Sequence, residues 1–191
     1  MSQKTNERPK ILCSENVFTG RVFTVTADTI QEGDVTYTRE VVRHPGSAVI
    51  IPVFDDGSVA LVRQYRHPAV RYLLEAPAGT LNEREEPAIG AARELEEELG
   101  VVAERLEKLC EFFVSPGFLE EKMWVFLATN LTPTKQKLDA DEIIEIVRIP
   151  FAQALEMISD GEIEDAKTIV GLMLAASRVG SISSRVDYPA V

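Results

Sequence analysis

The sequence has few of the residues that build disulfide scaffolds and zinc sites. Among 191 residues there are two cysteines, Cys13 and Cys110, far apart and outside any C-x-x-C or zinc-ligand spacing. The two histidines, His44 and His67, both precede prolines, and we assign neither a ligand role. These shortages exclude a disulfide framework and a zinc finger. Two unpaired thiols are typical of a reducing compartment.

Long apolar runs and positive charge are also scarce. No apolar stretch approaches the roughly 18 residues that a membrane helix needs, and the polar first ten residues lack the apolar core of a signal peptide. Lysine and arginine number 20 against 31 aspartates and glutamates, which gives a net charge of −11. We therefore expect a cytoplasmic protein, with neither nucleic acid nor a membrane as its partner. An anionic substrate would need local cations to receive it.

The remaining composition is that of an ordinary globular chain, 45% hydrophobic and 27% charged. Residues 11–42 are rich in valine, threonine and aromatics and predict strands with a turn at 31–34. Residues 44–66 predict a second hairpin that turns at 55–57. Helical patterns cover about 86–99, 151–161 and 165–180. The order of strands and helices predicts a mixed α/β or α+β layered domain.

Four carboxylates crowd the end of the first predicted helix. Glu94 and Glu98 are four residues apart and share a face, and Glu97 lies beside them, whereas Glu96 points away. Such a ridge of carboxylates suits Mg²⁺ or Mn²⁺, which take oxygen ligands and bridge carboxylates to substrate phosphates. The alternative is a solvated acidic face on a surface helix, which is the usual role of a charge run.

The loop before this helix adds a second group of residues. In "EAPAG", the backbone carbonyl of Ala78 could complete a metal shell. Arg93 could bridge Glu85, at the helix start, to the carboxylate ridge, because a guanidinium binds carboxylates in pairs. For Arg66 and Glu75 two interpretations stay open, substrate binding and a plain structural role.

The spacing around the helix resembles a known motif. Gly79, Glu85, the triplet Arg93-Glu94-Leu95, the pair Glu97-Glu98 and the pair Gly100-Val101 match the Nudix box at every fixed position. The lead-in "EAPAG", the preceding strands and the Ser-Pro-Gly turn extend the likeness over most of residues 40–175 and favour the ADP-ribose pyrophosphatase subgroup.

That resemblance implies an α/β/α sandwich with a mixed sheet and a divalent-cation-dependent hydrolase. By position it makes Glu94, Glu97 and Glu98 the metal-binding carboxylates. It also makes Ala78 the carbonyl ligand, and Glu85 with Arg93 a structural ion pair.

The subgroup also implies a general base in the acidic loop before "IIEIV". Our match is Glu142, with Asp139 and Asp141 as competitors. The run "RQYR" and the turn after the box resemble the subgroup too, so we expect Arg66, Pro116 and Gly117 to bind substrate. We expect the same of Glu75, which lies among apolar neighbours in the sequence.

We accordingly expect hydrolysis of ADP-ribose to AMP and ribose 5-phosphate. The alternatives are another nucleoside-diphosphate sugar, such as GDP-mannose, and a non-catalytic nucleotide-sensing Nudix module. Residues 1–44 are expected to form an N-terminal β region that builds a homodimer, residues 45–180 the catalytic domain, and residues 181–191 a C-terminal tail.

Overall fold

The computed structural model describes residues 8–138, 140 and 142–183, the last three without their side chains. Asp139, Asp141 and the end of the predicted C-terminal tail therefore lie outside the described residues. The chain forms two compact units. The first comprises the chain up to Gly46 together with Phe112–Lys122, and the second comprises Ser47–Glu111 and the chain from Met123 onward.

The first unit is built on a three-stranded antiparallel sheet. Its strands are β1 (Lys10–Thr19), β2 (Thr24–Glu32) and β3 (Val35–Arg43), in the order β1-β2-β3. The predicted turn between β2 and β3 is confirmed, and Gly33 supplies the positive φ of 58° that it needs. Every residue of β1 is exposed.

A buried carboxylate and a backbone ladder hold this unit together. Asp28 is 2% exposed, accepts a 2.6 Å hydrogen bond from Ser14 Oγ and pairs with Arg43, which also pairs with Glu120. The Val42 N–H donates to the carbonyl of residue 118 at 2.8 Å. These bonds attach the segment 112–122 to β3.

The second unit contains a mixed sheet of four strands. Strand β4 (Ser47–Pro52) is wholly buried and pairs in parallel with β9 (Lys122–Pro133) and antiparallel with β7 (Ala78–Thr80). Strand β8 (Val101–Phe113) forms the other edge. The predicted burial of the apolar run in β4 is confirmed.

A second sheet of this unit contains β10 (Ile144–Pro150), β5 (Ser58–Arg66) and β6 (Arg71–Glu75), all antiparallel. A short 3₁₀ turn, His67–Ala69, joins β5 to β6. The predicted hairpin over residues 44–66 is wrong. The chain does turn at Gly57 between β4 and β5, but the two strands belong to different sheets. A single bridge between Val53 and Val59 links them.

The predicted helices are confirmed as α1 (Pro87–Leu99), α2 (Phe151–Ser159) and α3 (Ala166–Ser183). Ile50 of β4 belongs to the core cluster with Leu95 of α1. A Cβ on Gly171 of α3 would lie 2.6 Å from Ile51 Cδ1, so α3 packs closely on the other face of β4. The mixed sheet thus lies between helical layers, and the predicted fold class is confirmed. No helix among the described residues is long and apolar enough to cross a bilayer.

Candidate active site

Two glutamates of α1 lie on its buried face. Gly90, Glu94 and Glu98 follow one another at four-residue spacing and share one side of the helix, next to Leu95. Glu94 and Glu98 are only 7% and 6% exposed. A solvated acidic face is therefore wrong for these two carboxylates, while Glu97 is half-buried at the edge of the same ridge.

A glycine in β7 makes room for Glu94. A Cβ built on Gly79 would lie 1.9 Å from Glu94 Oε1 and 2.0 Å from its carboxyl carbon. Real Cβ atoms essentially never approach within 3.0 Å of another heavy atom. The first fixed position of the motif is therefore glycine because the carboxylate lies directly against the backbone of β7.

Arg93 connects the loop before the helix to the ridge. Its Nε and Nη2 donate to the two oxygens of Glu85 at 3.0 Å each, and Nη1 donates to Glu94 at 2.7 Å and to Glu97 at 2.8 Å. Nη2 also donates to the Thr80 carbonyl at 3.2 Å. The hydrogen bonds from Arg93 lower the pKa of Glu85 to about 2. This pairing is the one expected from the sequence.

Glu98 carries the most strongly perturbed carboxylate of the ridge. Burial, together with the charges of Glu94 and Glu142, raises its pKa to about 8. The backbone N–H of Ala78 donates to Glu98 Oε2 at 3.2 Å, which places Ala78 against the ridge. Burial also raises the pKa of Glu94. The ridge thus holds more negative charge than Arg93 neutralises.

Glu142 lies on the loop between β9 and β10 and is half-buried. Its charge raises the pKa of both Glu94 and Glu98, so it lies within electrostatic reach of them, although it follows Glu98 by 44 positions in the sequence. Its competitors Asp139 and Asp141 lie outside the described residues.

Arg66 and Glu75 form a two-pronged ion pair near the ridge. Arg66 Nε and Nη2 donate to the two oxygens of Glu75 at 2.7 and 2.8 Å. Glu75 is 1% exposed. Burial raises its pKa, but the hydrogen bonds from Arg66 and the charge of Lys167 outweigh burial, so the net shift is downward. The charge of Arg66 also lowers the pKa of Glu98. Arg66 therefore lies within electrostatic reach of the carboxylate ridge, and Glu75 is paired with Arg66.

The motif in this helix and loop is matched by a family model. The model of the NUDIX domain matches residues 43–170. This chain belongs to the Nudix family.

Similar proteins agree with this assignment. An ADP-ribose pyrophosphatase of Bacillus subtilis (strain 168) is 38% identical over 162 residues, which are 83% of this chain and 88% of that protein. A GDP-mannose pyrophosphatase of Yersinia pestis (strain Pestoides F) is 35% identical over 92% of this chain and 93% of its own length. A crystal structure of an ADP compounds hydrolase superposes with a TM-score of 0.81 at 26% identity, covering 96% of this chain and all of that one. The chain is a Nudix hydrolase.

Nudix hydrolases generally depend on a divalent metal ion, and the chemistry of the ridge fits one. In the described ranges, no three histidine, cysteine, aspartate or glutamate side chains already form a group that could hold an ion. However, Glu94 and Glu98 are buried and have raised pKa values, because ionising neighbouring carboxylates away from water costs free energy. A bound divalent cation would remove that cost, because oxygen ligands on a rigid helix are what such ions require.

The two remaining predicted site residues lie in the first unit. Pro116 and Gly117 follow Ser115 in the turn between β8 and β9, where the backbone N–H groups of residues 118 and 119 donate to the Ser115 carbonyl at 3.2 and 3.0 Å. Nothing within 4 Å would contact a Cβ on Gly117. Their contact with substrate stays a prediction.

The predicted site residues include none from the first turn of α3. Thr168 is fully buried, and its Oγ1 accepts a 2.6 Å hydrogen bond from the Ala76 N–H. Asp165 caps the helix by accepting from the Thr168 N–H at 3.0 Å. The Asp-x-x-Thr spacing of "DAKT" is a capping signal that could have indicated this turn.

Proposed function

We propose that this Nudix hydrolase cleaves the pyrophosphate bond of ADP-ribose, giving AMP and ribose 5-phosphate. The observation that carries the proposal is the buried carboxylate pair of Glu94 and Glu98 beside the cation of Arg66, in a chain 38% identical to an ADP-ribose pyrophosphatase. Carboxylates that hold cations, next to an arginine that binds phosphate, suit an anionic diphosphate.

Mg²⁺ or Mn²⁺ is the proposed metal. Glu94, Glu97 and Glu98 would hold it through their carboxylates, and Ala78 through its backbone carbonyl. When bound, a divalent ion supplies charge neutralisation to the two phosphates of the substrate. Arg93 holds Glu94 and Glu97 in place, and its pairing with Glu85 ties the ridge to the preceding loop.

The proposed reaction is the attack of water on the diphosphate, assisted by side chains of this protein. Water attacks one phosphorus, the bond from that phosphorus to the bridging oxygen breaks, and the other phosphate leaves with that oxygen. Glu142 accepts the proton of the attacking water, for which its position near Glu94 and Glu98 is suited. Arg66 and Glu75 orient the substrate. Most of the catalysis comes from positioning and electrostatics.

A turnover assay over a substrate panel tests the proposal. Purified protein is incubated with ADP-ribose, GDP-mannose and other nucleoside-diphosphate sugars, with Mg²⁺, Mn²⁺ or EDTA, and products are separated by liquid chromatography. We expect ADP-ribose to have the highest kcat/KM and EDTA to abolish turnover. GDP-mannose is the second candidate, because a GDP-mannose pyrophosphatase is 35% identical over 92% of the chain. A higher kcat/KM for GDP-mannose would replace the first candidate with the second.

Two sets of variants test the assigned residues. Glu98→Gln should lower kcat by orders of magnitude, whereas Glu83→Gln, whose side chain is 88% exposed, should not change it. Equal activity of both variants would refute the role of Glu98. Glu142→Gln is compared with Asp139→Asn and Asp141→Asn, and the general base is the residue whose replacement lowers kcat most. If either aspartate variant has the larger effect, that aspartate replaces Glu142.

We further propose that the chain is a cytoplasmic homodimer assembled through the first unit. Exposed large hydrophobic residues are concentrated in that unit's sheet and turns: Ile11, Leu12, Val17, Phe18, Val22, Phe23 and Val35. Such an apolar surface supports a protein partner, and a second copy would cover it symmetrically. The free thiols of Cys13 and Cys110 suit a reducing compartment. Light scattering after size exclusion should give twice the chain mass, and Phe18→Asp should give the monomer.

A further inference from the structure

Lys167 is a buried cation that the proposed chemistry does not use. Its side chain is 9% exposed, and its ammonium contacts Glu75 Oε2 and, at 3.0 Å, Asp165 Oδ1. Burying an ammonium is expensive unless it is paired and hydrogen-bonded. Because it is enclosed, the ammonium is not presented to a ligand in solvent, so any effect of Lys167 on the reaction passes through the carboxylates that it contacts.

Glu75 is shared between two cations. Arg66 occupies both of its oxygens, and Lys167 occupies Oε2 as well. With Asp165 these side chains form a group of two cations and two anions. Without Lys167 the group would contain one cation and two carboxylates, so the charge of Arg66 would be more than cancelled by its own neighbours.

Arg66 is also the member of this group that faces outward. Its side chain is 40% exposed, while Glu75 and Lys167 are enclosed. The charges of Arg66 and Glu98 act on each other's pKa, so the guanidinium stands within electrostatic reach of the carboxylate ridge. The positive charge of Arg66 therefore acts where the diphosphate of the proposed substrate would bind.

We propose that Lys167 is a positioning residue that neutralises Glu75, so that the guanidinium of Arg66 stays oriented and its positive charge stays available to the substrate diphosphate. This inference rests on the proposed function for its substrate class. The first turn of α3 fixes Lys167, because Asp165 caps the helix and Thr168 bonds to the backbone of Ala76. The first turn of α3 thus brings Lys167 to Glu75 across a separation of 92 positions in the sequence.

Steady-state kinetics of three Lys167 variants test the proposal. Lys167→Met removes the charge and keeps the apolar stem, Lys167→Gln keeps a polar end, and Lys167→Arg keeps the charge. We expect Met and Gln to raise KM for ADP-ribose by about tenfold or more, as for loss of a residue that orients ligand-binding groups. Their kcat should stay within about threefold of the wild type, and Arg should restore most of the affinity.

A matched control and a double variant separate positioning from mere stabilisation. Lys108→Met removes a lysine whose side chain is 48% exposed and which pairs with Glu111, and it should change neither KM nor kcat. In an Arg66→Gln background, Lys167→Met should no longer raise KM, because its effect passes through Arg66. A purely structural role would instead lower the melting temperature without a selective effect on KM.

The outcomes distinguish this inference from the proposed function. If the wild type turns over a nucleoside-diphosphate sugar other than ADP-ribose, only the proposed substrate fails, and the variants are compared on the substrate that is turned over. Unchanged KM for Lys167→Met on that substrate overturns the inference, as does a rise of the same size in the Arg66→Gln background. If Lys167→Met does not fold, equal KM values for the Gln and Arg variants overturn it.

Discussion

Replacing Gly79 by alanine should disable the site without unfolding the protein. The added methyl carbon would lie 1.9 Å from Glu94 Oε1, whereas ordinary contact begins at 3.4 Å, so the carboxylate must move by roughly 1.5 Å. The atoms that move are the end of one side chain, and Gly79 has no positive φ. The backbone can therefore accept alanine, and the displacement falls on Glu94.

The loss of activity follows from the size of that displacement. A misplacement of about 1 Å in a reacting or ligating group can cost about 100-fold in rate, which corresponds to about 2.7 kcal/mol in the activation barrier. We expect Gly79→Ala to lower kcat by at least that factor at saturating Mg²⁺. The melting temperature in EDTA should change by only a few degrees, since no core side chain is removed.

The matched control is Gly180→Ala in α3, where no atom lies within 4 Å of the added methyl carbon. This variant should retain wild-type kcat and be at least as stable, because alanine is the better helix former. Kinetics with ADP-ribose and thermal melts followed by circular dichroism measure both quantities. Wild-type kcat in Gly79→Ala would refute the claim that Glu94 must lie against β7 for turnover.

The charged side chains around α1 should also determine stability. Arg93→Met should lower the free energy of unfolding by about 2–4 kcal/mol in urea titrations, because it leaves partly buried carboxylates without a cation. The control, Arg105→Met, should cost under about 0.5 kcal/mol, because the Arg105 side chain is 67% exposed. Equal losses of stability in the two variants would contradict this. Metal-free protein should lose stability as pH rises from 4.5 to about 8, because Glu98 keeps its proton over this range in the folded state but releases it at lower pH when unfolded. Thermal melts in EDTA measure this decline. Its absence in the wild type, or an unchanged decline in Glu98→Gln, would contradict the prediction. Gly100→Ala should cost at least about 1 kcal/mol in the same titrations, since φ is 63° and the methyl carbon would meet a backbone nitrogen at 2.7 Å, and wild-type stability would refute this.

The ridge could be predicted because it is local. Glu94, Glu97 and Glu98 lie within five residues of one helix, and helical geometry alone brings them together. Gly100 marked the helix end, and Glu85, the expected partner of Arg93, lies only eight residues away. Each of these inferences needed only a short stretch of chain and one secondary structure.

The sheet partners and the support of Arg66 depend on contacts distant in sequence. The apolar runs of β4 and β5 predict two buried strands joined by a turn. This pattern does not distinguish a hairpin from a connection between two sheets. Lys167 lies 92 residues from Glu75, and "DAKTI" does not reveal which carboxylate it meets. The sequence also leaves the general base open, because three acidic residues share one loop. Of these three, only Glu142 lies in the described residues.

The charge distribution explains why an acidic protein suits an anionic substrate. Arg93 neutralises Glu85 and part of Glu94 and Glu97, but it makes no hydrogen bond to Glu98, whose pKa stays near 8. Burial and neighbouring carboxylates thus penalise the ionised form of Glu98 in the metal-free fold, and a divalent cation bound there would remove that penalty. An ion that binds only the folded state stabilises it by about 2.7 kcal/mol at a hundredfold excess over Kd. The glutamate cluster therefore exchanges stability for metal binding, and the cations so acquired reverse the local field that a diphosphate would otherwise meet.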